Sequence, residues 1–354
     1  MQLEQILMAA VRGGASDVIL KTGSVPKFRF RGELVAPENG KVISPELMAA
    51  WLQQILPADK RDLRKERDFS FQLSDGTRFR MNAFMQRGTY TMVARVVLSH
   101  IRSLEELQLP PVLGQMSLEK RGLILVTGVT GSGKSTTLAA MIHRINQQRA
   151  AHIVTIEDPI EYLLKDDRAV IEQREIGLDT ENFSGAIRAA MRQNPDVIMV
   201  GELRDRETVD AALRAAETGH LVMSTLHTSD ASEALTRVLG LFSPEEASSV
   251  RLSLAAALVG IVSQRLVPRS DGRGMMAAVE VLVGTAAVKE QILKASDLNG
   301  LRQLIRDGRD AYGMQTFDDA IASLVTSGVI SRDTALSYAT SRSDLELRLS
   351  GVGQ

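Results

Sequence analysis

Between Leu123 and Ile142 the chain passes from four apolar residues, Leu123-Ile124-Leu125-Val126, through Gly128-Val129-Thr130-Gly131-Ser132-Gly133-Lys134-Ser135-Thr136 into Leu138-Ala139-Ala140-Met141-Ile142. That order dictates a buried strand, a glycine-rich turn and a helix, the arrangement of a phosphate-binding loop. Gly128, Gly131 and Gly133 let backbone N–H groups turn inward around a polyphosphate, with Thr130, Ser132 and Thr136 in the same cradle. The helix start adds the positive end of its dipole. Lys134 is spaced to reach β and γ phosphates, and Ser135 to hold Mg²⁺.

A chain of 354 residues exceeds one ordinary core, which predicts one large and one smaller domain. Hydrophobic content of 44% with 24% charge is that of a folded, soluble protein. The sequence has no cysteine, which removes disulfides, thiolate zinc sites and cysteine nucleophiles together and fits a reducing compartment. Met1 to Arg12 has no basic leader and reads as an amphipathic helix. The longest apolar run, Leu254 to Val262, is half of a membrane span. The expectation is a cytoplasmic protein whose membrane contact runs through a partner. A net charge of −1 and 4% aromatics argue against a motor that holds nucleic acid.

Residues 1–98 read as a small α+β domain. After Gly13-Gly14, Asp17-Val18-Ile19-Leu20 begins a strand, and Lys27-Phe28-Arg29-Phe30-Arg31 forms a second. Ser44-Pro45-Glu46 starts a helix that reaches Leu56 and resumes after Pro57. Phe69 to Leu73 and Thr77 to Phe84 are joined across Asp75-Gly76 as a hairpin, and Tyr90 to Val97 adds a strand. Period two puts Arg78, Arg80 and Asn82 on one face and Phe79, Met81 and Ala83 on the other. Arg78, Arg80 and, on the next strand, Arg95 read either as a solvated sheet face or as cations reaching a nucleotide phosphate. Residues 99–118, with Leu109-Pro110-Pro111 and a short charged helix, suit a linker.

Residues 119–354 alternate strands and helices, which predicts a mostly parallel sheet covered on both faces, then helices at the C-terminal end. The strand Ile153-Val154-Thr155-Ile156 runs into Glu157, Asp158 and Glu161, placed where such sheets bind ligands, to share a Mg²⁺ shell or orient water. The strand Val197-Ile198-Met199-Val200 ends in Gly201-Glu202, where many phosphate-loop enzymes carry aspartate then glutamate. Glu202 is therefore expected to polarise water or sit in the Mg²⁺ shell with Glu161 as its partner, while Glu157, Asp158 or Glu161 takes over the missing aspartate's function. His227 follows another buried strand and reads either as structural or as a hydrogen-bond partner of the γ phosphate or a catalytic acid. Ser243-Pro244 opens a helix expected to continue, buried, through Leu252 to Val262. Ala278 to Val283 is a late strand, and helices separated by Gly300, Gly313 and Gly328 complete the chain.

Taken together, Gly128 to Ser135, Glu157-Asp158-Pro159-Ile160-Glu161, Gly201-Glu202-Leu203-Arg204-Asp205 and Thr218-Gly219-His220 through His227 resemble the Walker A, Asp box, Walker B and His box of the bacterial secretion and type IV pilus ATPases. Gly14-Ala15-Ser16-Asp17 and Gly313-Met314-Gln315-Thr316 extend the likeness over essentially the whole chain, in the PilT/PilU-like retraction branch. The resemblance implies a RecA-like P-loop ATPase domain preceded by a smaller α+β PAS-like domain. It further implies a homohexamer that hydrolyses Mg-ATP and drives pilus depolymerisation through an inner-membrane platform protein, with Arg80 and Arg95 at the positions of phosphate-contacting arginines. Assembly and type II secretion members generally carry a further N-terminal domain and a tetracysteine zinc insertion, and this sequence shows neither. Ala287-Val288-Lys289-Glu290-Gln291-Ile292 stands where PilT-like members have Ala-Ile-Arg-Asn-Leu-Ile, and Gln173 to Thr180 is PilU-like. This implies an accessory motor working beside a paralogous retraction ATPase. A RecA-like nucleic-acid translocase and an assembly or type II secretion ATPase are the alternatives.

Overall fold

A computed structural model describes residues 2–30, 32–56, 66–97, 99–294, 298 and 300–350. The chain divides into two compact units, residues 1–100 with 161–163 and residues 101–160 with 164–354. The first begins with α1 (Leu3–Arg12), β1 (Asp17–Lys21), β2 (Lys27–Phe30) and β3 (Glu33–Val35). It continues through α2 (Pro45–Ile55), β4 (Arg67–Gln72), β5 (Arg78–Gln86) and β6 (Thr89–Val96). Helix α2 starts as the sequence dictates: the Ser44 hydroxyl accepts from Leu47 N at 3.2 Å and Pro45 takes the first turn. The helix expected after Pro57 lies outside the described residues.

The strands form one antiparallel sheet in the order β3-β2-β1-β6-β5-β4. The Asp75-Gly76 turn is fixed by Thr77 N donating to the Asp75 carboxylate at 2.9 Å, with Gly76 at φ 87°. Phe79, Met81 and Ala83 are fully buried against Leu7, Trp51 and Leu52, while Arg80 faces outward. Each such large apolar side chain contributes roughly 1.5–3 kcal/mol. The short edge strand β3 is absent from the sequence reading because all its residues are exposed and no alternation marks it.

The second unit opens with α3 (Pro111–Ser117), β7 (Gly122–Thr127), α4 (Lys134–Gln148), β8 (His152–Glu157), β9 (Val170–Glu175), α5 (Phe183–Ala190) and β10 (Val197–Val200). There follow α6 (Arg206–Glu217), β11 (Leu221–Leu226), α7 (Ala231–Leu239), α8 (Pro244–Ala257), β12 (Leu258–Pro268) and β13 (Met275–Val283). Among the described residues six short helices follow: α9 (Ala286–Lys294), α10 (Leu301–Asp307), α11 (Arg309–Tyr312), α12 (Phe317–Thr326), α13 (Arg332–Tyr338) and α14 (Arg342–Leu349). The sheet order is β13-β12-β7-β11-β10-β8-β9, parallel throughout except for β13. Every residue of β7, β10 and β11 is buried, as expected of parallel strands covered on both faces. One covering layer includes Ile187, Ala212 and Leu235; the other includes Leu113, Met141 and Ile142.

Two local expectations change. The apolar stretch 252–262 is not one helix: α8 ends at Ala257, and Leu258 opens β12, paired in parallel with β7. A continuous apolar run fits a buried strand as well as a buried helix, and the β-branched Val259, Ile261 and Val262 favour the strand once β7 offers backbone partners. Gly260 is required there, because a Cβ would lie 2.5 Å from Met116 Cε and 2.6 Å from Leu282 O. Leu252, expected to be buried, is 62% exposed on α8. In addition, Leu109-Pro110-Pro111 leads into α3, which has no charged residue and buries Val112, Leu113 and Met116 in the core of the second unit. No helix among the described residues is long and apolar enough to cross a membrane.

The ends of β12 and β13 carry a separate apolar cluster with Phe317, Ile321, Ile330, Ala335 and Leu345. Arg265 clamps it, its guanidinium 3.9 Å from the Phe317 ring centroid and bonded to Tyr338 O and Thr340 Oγ1 at 3.2 Å. Beside it Glu280 is buried and accepts from Ala231 N at 3.1 Å. Burial pushes its carboxyl up from 4.5 to about 7; the Ala231 bond and the charges of Arg265 and Arg302 oppose the shift, and that of Asp230 reinforces it. A raised folded-state value means that the associated stability is complete below about pH 4.5 and is lost as pH rises through about 7. Relative to Glu280→Gln, which keeps the acceptor, the wild type is therefore expected to lose about 3 kcal/mol of unfolding free energy between pH 4 and pH 8. Denaturant melts of both proteins at the two pH values check this, and a constant difference contradicts it.

Candidate active site

The parallel strands deliver their carboxyl ends to one edge of the second unit's sheet. Register puts Leu226 beside Thr127 and Val200 beside Ile156, so the segments starting at Gly128, Asp158, Gly201 and His227 leave the sheet along that edge, with Glu157 the last residue of β8. An open α/β sheet binds ligands there. Gly128, Gly131 and Gly133 all have positive φ, at 146°, 80° and 92°, and Gly133 caps α4. A Cβ on Gly128 would lie 2.4 Å from Ser132 Oγ and 2.6 Å from Gln264 O, so glycine is obligatory for this turn. Lys134 is 8% exposed, and its ammonium donates to Gly128 O at 2.8 Å and Val129 O at 3.0 Å, bridging the mouth of the loop. Ser135 and Thr136 are half-buried at the start of α4, and Thr130 and Gly131 are exposed.

The acids sit in different settings. Glu157 is 8% exposed and accepts from Thr155 Oγ1 at 2.7 Å and Gln173 Nε2 at 3.0 Å, which fixes one carboxylate oxygen within the sheet. Asp158, next in the chain, is exposed. Glu202 is 9% exposed, forms an ion pair with Arg204, and has its other carboxylate oxygen 3.5 Å from His227 Nε2. Glu202 and His227 are thus brought together by the parallel pairing of β10 and β11, whose tips they follow. Gln173 escapes prediction because its partner is set by the pairing of β8 with β9, whereas Thr155 and Arg204 are each only two residues from the acid they hold and could have been found from that spacing.

In the first unit Arg80 stands directly across from Arg95 on β5 and β6, and both are exposed. Arg95 Nε donates to the buried Asp17 carboxylate at 2.8 Å, and Arg29 lies 3.6 Å from the same group. Burial alone would raise Asp17; hydrogen bonds from Arg95 and Ser16 and the charges of Arg95 and Arg29 outweigh it and hold the carboxyl below its ordinary value. Arg95 is therefore oriented by a fixed anion, whereas Arg80 is held beside a like charge. Glu161 is exposed and falls in the segment 161–163 that groups with this unit.

The loop is a candidate cradle for a phosphate chain. Its turn excludes any side chain at Gly128, and three polar atoms near the strand tips, Ser132 Oγ, Thr228 Oγ1 and Gln264 Oε1, are buried without a partner. The parallel sheet, the loop after β7 and the acid after β10 define the class: a RecA-like phosphate-loop ATPase with a second, smaller α+β unit. The family model described as "Type II/IV secretion system protein" matches residues 1–330. The type IV pilus ATPase PilU of Pseudomonas aeruginosa is 40% identical over 99% of this chain and 91% of its own length. The type IV pilus retraction ATPase PilT of the same organism is 40% identical over 95% of this chain and 97% of its own. A crystal structure of the pilus retraction motor PilT with bound ADP superimposes with a TM-score of 0.89 at 38% identity, covering 98% of this chain and 99% of that one. The chain belongs to the type II/IV secretion system protein family.

Proposed function

We propose that this ATPase is a Mg-ATP-driven motor of type IV pilus retraction, working as a homohexamer and as the accessory, PilU-type partner of a paralogous retraction ATPase. The observation that carries the reading is the phosphate loop 128–136 at one sheet edge with the Glu202–His227 pair, in a chain similar over its full length to PilU and PilT. In this reading the loop amides and Lys134 bind the β and γ phosphates of ATP. Ser135, with Glu157 and Asp158 through water, would hold Mg²⁺, which neutralises charge on those phosphates. Glu202 orients the attacking water, helped by Glu161, and His227 ties Glu202 to the tip of β11. The first unit, read as PAS-like, supplies Arg80 and Arg95 to phosphate charge, a role that fits an arginine kept beside another at some cost to the sheet. Subunit movement is passed to a platform protein at the cytoplasmic face of the inner membrane, and no nucleic acid takes part.

If the arginines act across subunits, homogeneous Arg80→Ala and Lys134→Ala preparations are both nearly inactive, and mixing them restores a measurable part of ATP turnover. Absence of rescue at every mixing ratio contradicts action between chains. Pilus shortening in living cells tests the motor reading. Loss of this chain is expected to impair retraction only when the paralogue is also missing or weakened. Loss of all retraction on deleting this chain alone contradicts the accessory role, and normal retraction without both contradicts the motor role.

A further inference from the structure

Gln264 is used by nothing described so far. It lies one residue beyond the last β12–β7 pair, Ser263 beside Thr127, and so stands level with Gly128 where the phosphate loop leaves the sheet. It is 2% exposed, and its side-chain amide is directed to the loop: Nε2 lies 3.9 Å from the position a Cβ would take on Gly133. Its Oε1, an acceptor only, is buried with no hydrogen-bond partner. A second orphan flanks the same glycine. Ser132 is 2% exposed, and its hydroxyl, which can both donate and accept, is also unpartnered. Ser132 and Gln264 meet at Gly128, where an added Cβ would lie 2.4 Å from Ser132 Oγ and 2.6 Å from Gln264 O, so two unsatisfied buried groups of complementary chemistry belong to neighbouring residues at one turn of a glycine-hinged loop.

We infer that Gln264 is a positioning residue for the phosphate loop: in the nucleotide-loaded loop the Ser132 hydroxyl donates to Gln264 Oε1, latching the loop to β12. The latch makes no contact with the reacting atoms. It converts closure of the loop into a hydrogen bond that the unloaded chain lacks, so that nucleotide affinity is raised by a group outside the Walker A segment. The inference rests on reading 128–136 as the nucleotide loop.

The test is a double-mutant cycle on Mg-ADP affinity, measured by calorimetry, with Gln264→Met, Ser132→Ala and the double variant, alongside melting temperatures without nucleotide. Methionine keeps the volume of glutamine and removes the orphan acceptor. Each single variant is expected to bind Mg-ADP about tenfold more weakly, and the double variant about tenfold rather than a hundredfold, because both remove one bond. Melting temperature without nucleotide stays level or rises in Gln264→Met, since an unsatisfied buried oxygen has gone; a merely structural glutamine would lower it. Wild-type affinity in Gln264→Met, or losses that add to about a hundredfold, overturns the latch while leaving the nucleotide site intact. Should Gln264→Met not fold, Gln264→Leu, which also lacks the acceptor, takes its place in the same cycle with the same expected and contradicting results. A wild-type chain that binds no Mg-ADP overturns the nucleotide reading itself, and the latch with it.

Discussion

Replacing Lys134 with alanine is expected to lower ATP turnover at least a hundred- to a thousandfold, the usual cost of removing one preorganised charge from a reaction that develops charge on phosphate oxygens. The lysine side chain is buried up to the loop, and its ammonium lies against Gly128 O and Val129 O, so a modest swing of Nζ would carry it to a bound phosphate. Those two hydrogen bonds are among the interactions that the substitution removes from the unloaded protein. A hydrogen bond from a charged donor is worth about 1.5–3 kcal/mol, a loss offset in part because the substitution also removes a buried ammonium and its desolvation cost, and Val129, 66% exposed, leaves part of the loop free to turn to water. The variant should therefore keep its circular dichroism and a melting temperature within a few degrees of wild type while losing hydrolysis. Turnover within tenfold of wild type in a folded Lys134→Ala preparation contradicts the assignment.

Glu202→Gln separates binding from chemistry. The substitution keeps the shape of a 9% exposed side chain and one of its two acceptor oxygens, replaces the other with an amide group, and removes the charge beside His227 and Arg204. Because the carboxylate lies beyond β10 while the phosphate cradle follows β7, with β11 between them, nucleotide affinity should stay within about threefold of wild type. The rate constant kcat should fall about 10²- to 10⁴-fold, as for loss of a positioned general base or water-orienting group. Steady-state kinetics with a parallel binding titration shows whether the effect falls on kcat alone. An equal loss in affinity and rate would move Glu202 from the chemical step to the binding of nucleotide.

How much of this is legible in the sequence depends on how local its cause is. The phosphate loop is legible because glycine spacing, flanking apolar strand and following helix are contiguous, and the hairpin at Asp75-Gly76 because turn and alternation sit side by side. Glu202 and His227 can each be placed at a strand tip, but their 3.5 Å approach depends on β10 and β11 lying side by side. The bond between Arg95 and Asp17 joins residues 78 positions apart, which no periodicity reveals. The boundary between α8 and β12 escapes for the opposite reason: the apolar signal is strong on both sides of Leu258 and carries no period that distinguishes them. Edge strand β9 is hidden by its polar half, since a strand paired on one side needs no continuous apolar run. Gln264 gave no signal at all, being an uncharged residue in an apolar strand whose importance comes only from the glycine loop packed against it.

A calorimetric titration of Mg-ATP into the folded wild-type chain, repeated with Lys134→Ala, tests the central claim that residues 128–136 grip a triphosphate. The expected result is saturable binding at one nucleotide per chain in the wild type, weakened at least tenfold by the substitution. Folded wild-type protein that takes up no Mg-ATP, or that binds it unchanged without the Lys134 ammonium, would contradict it.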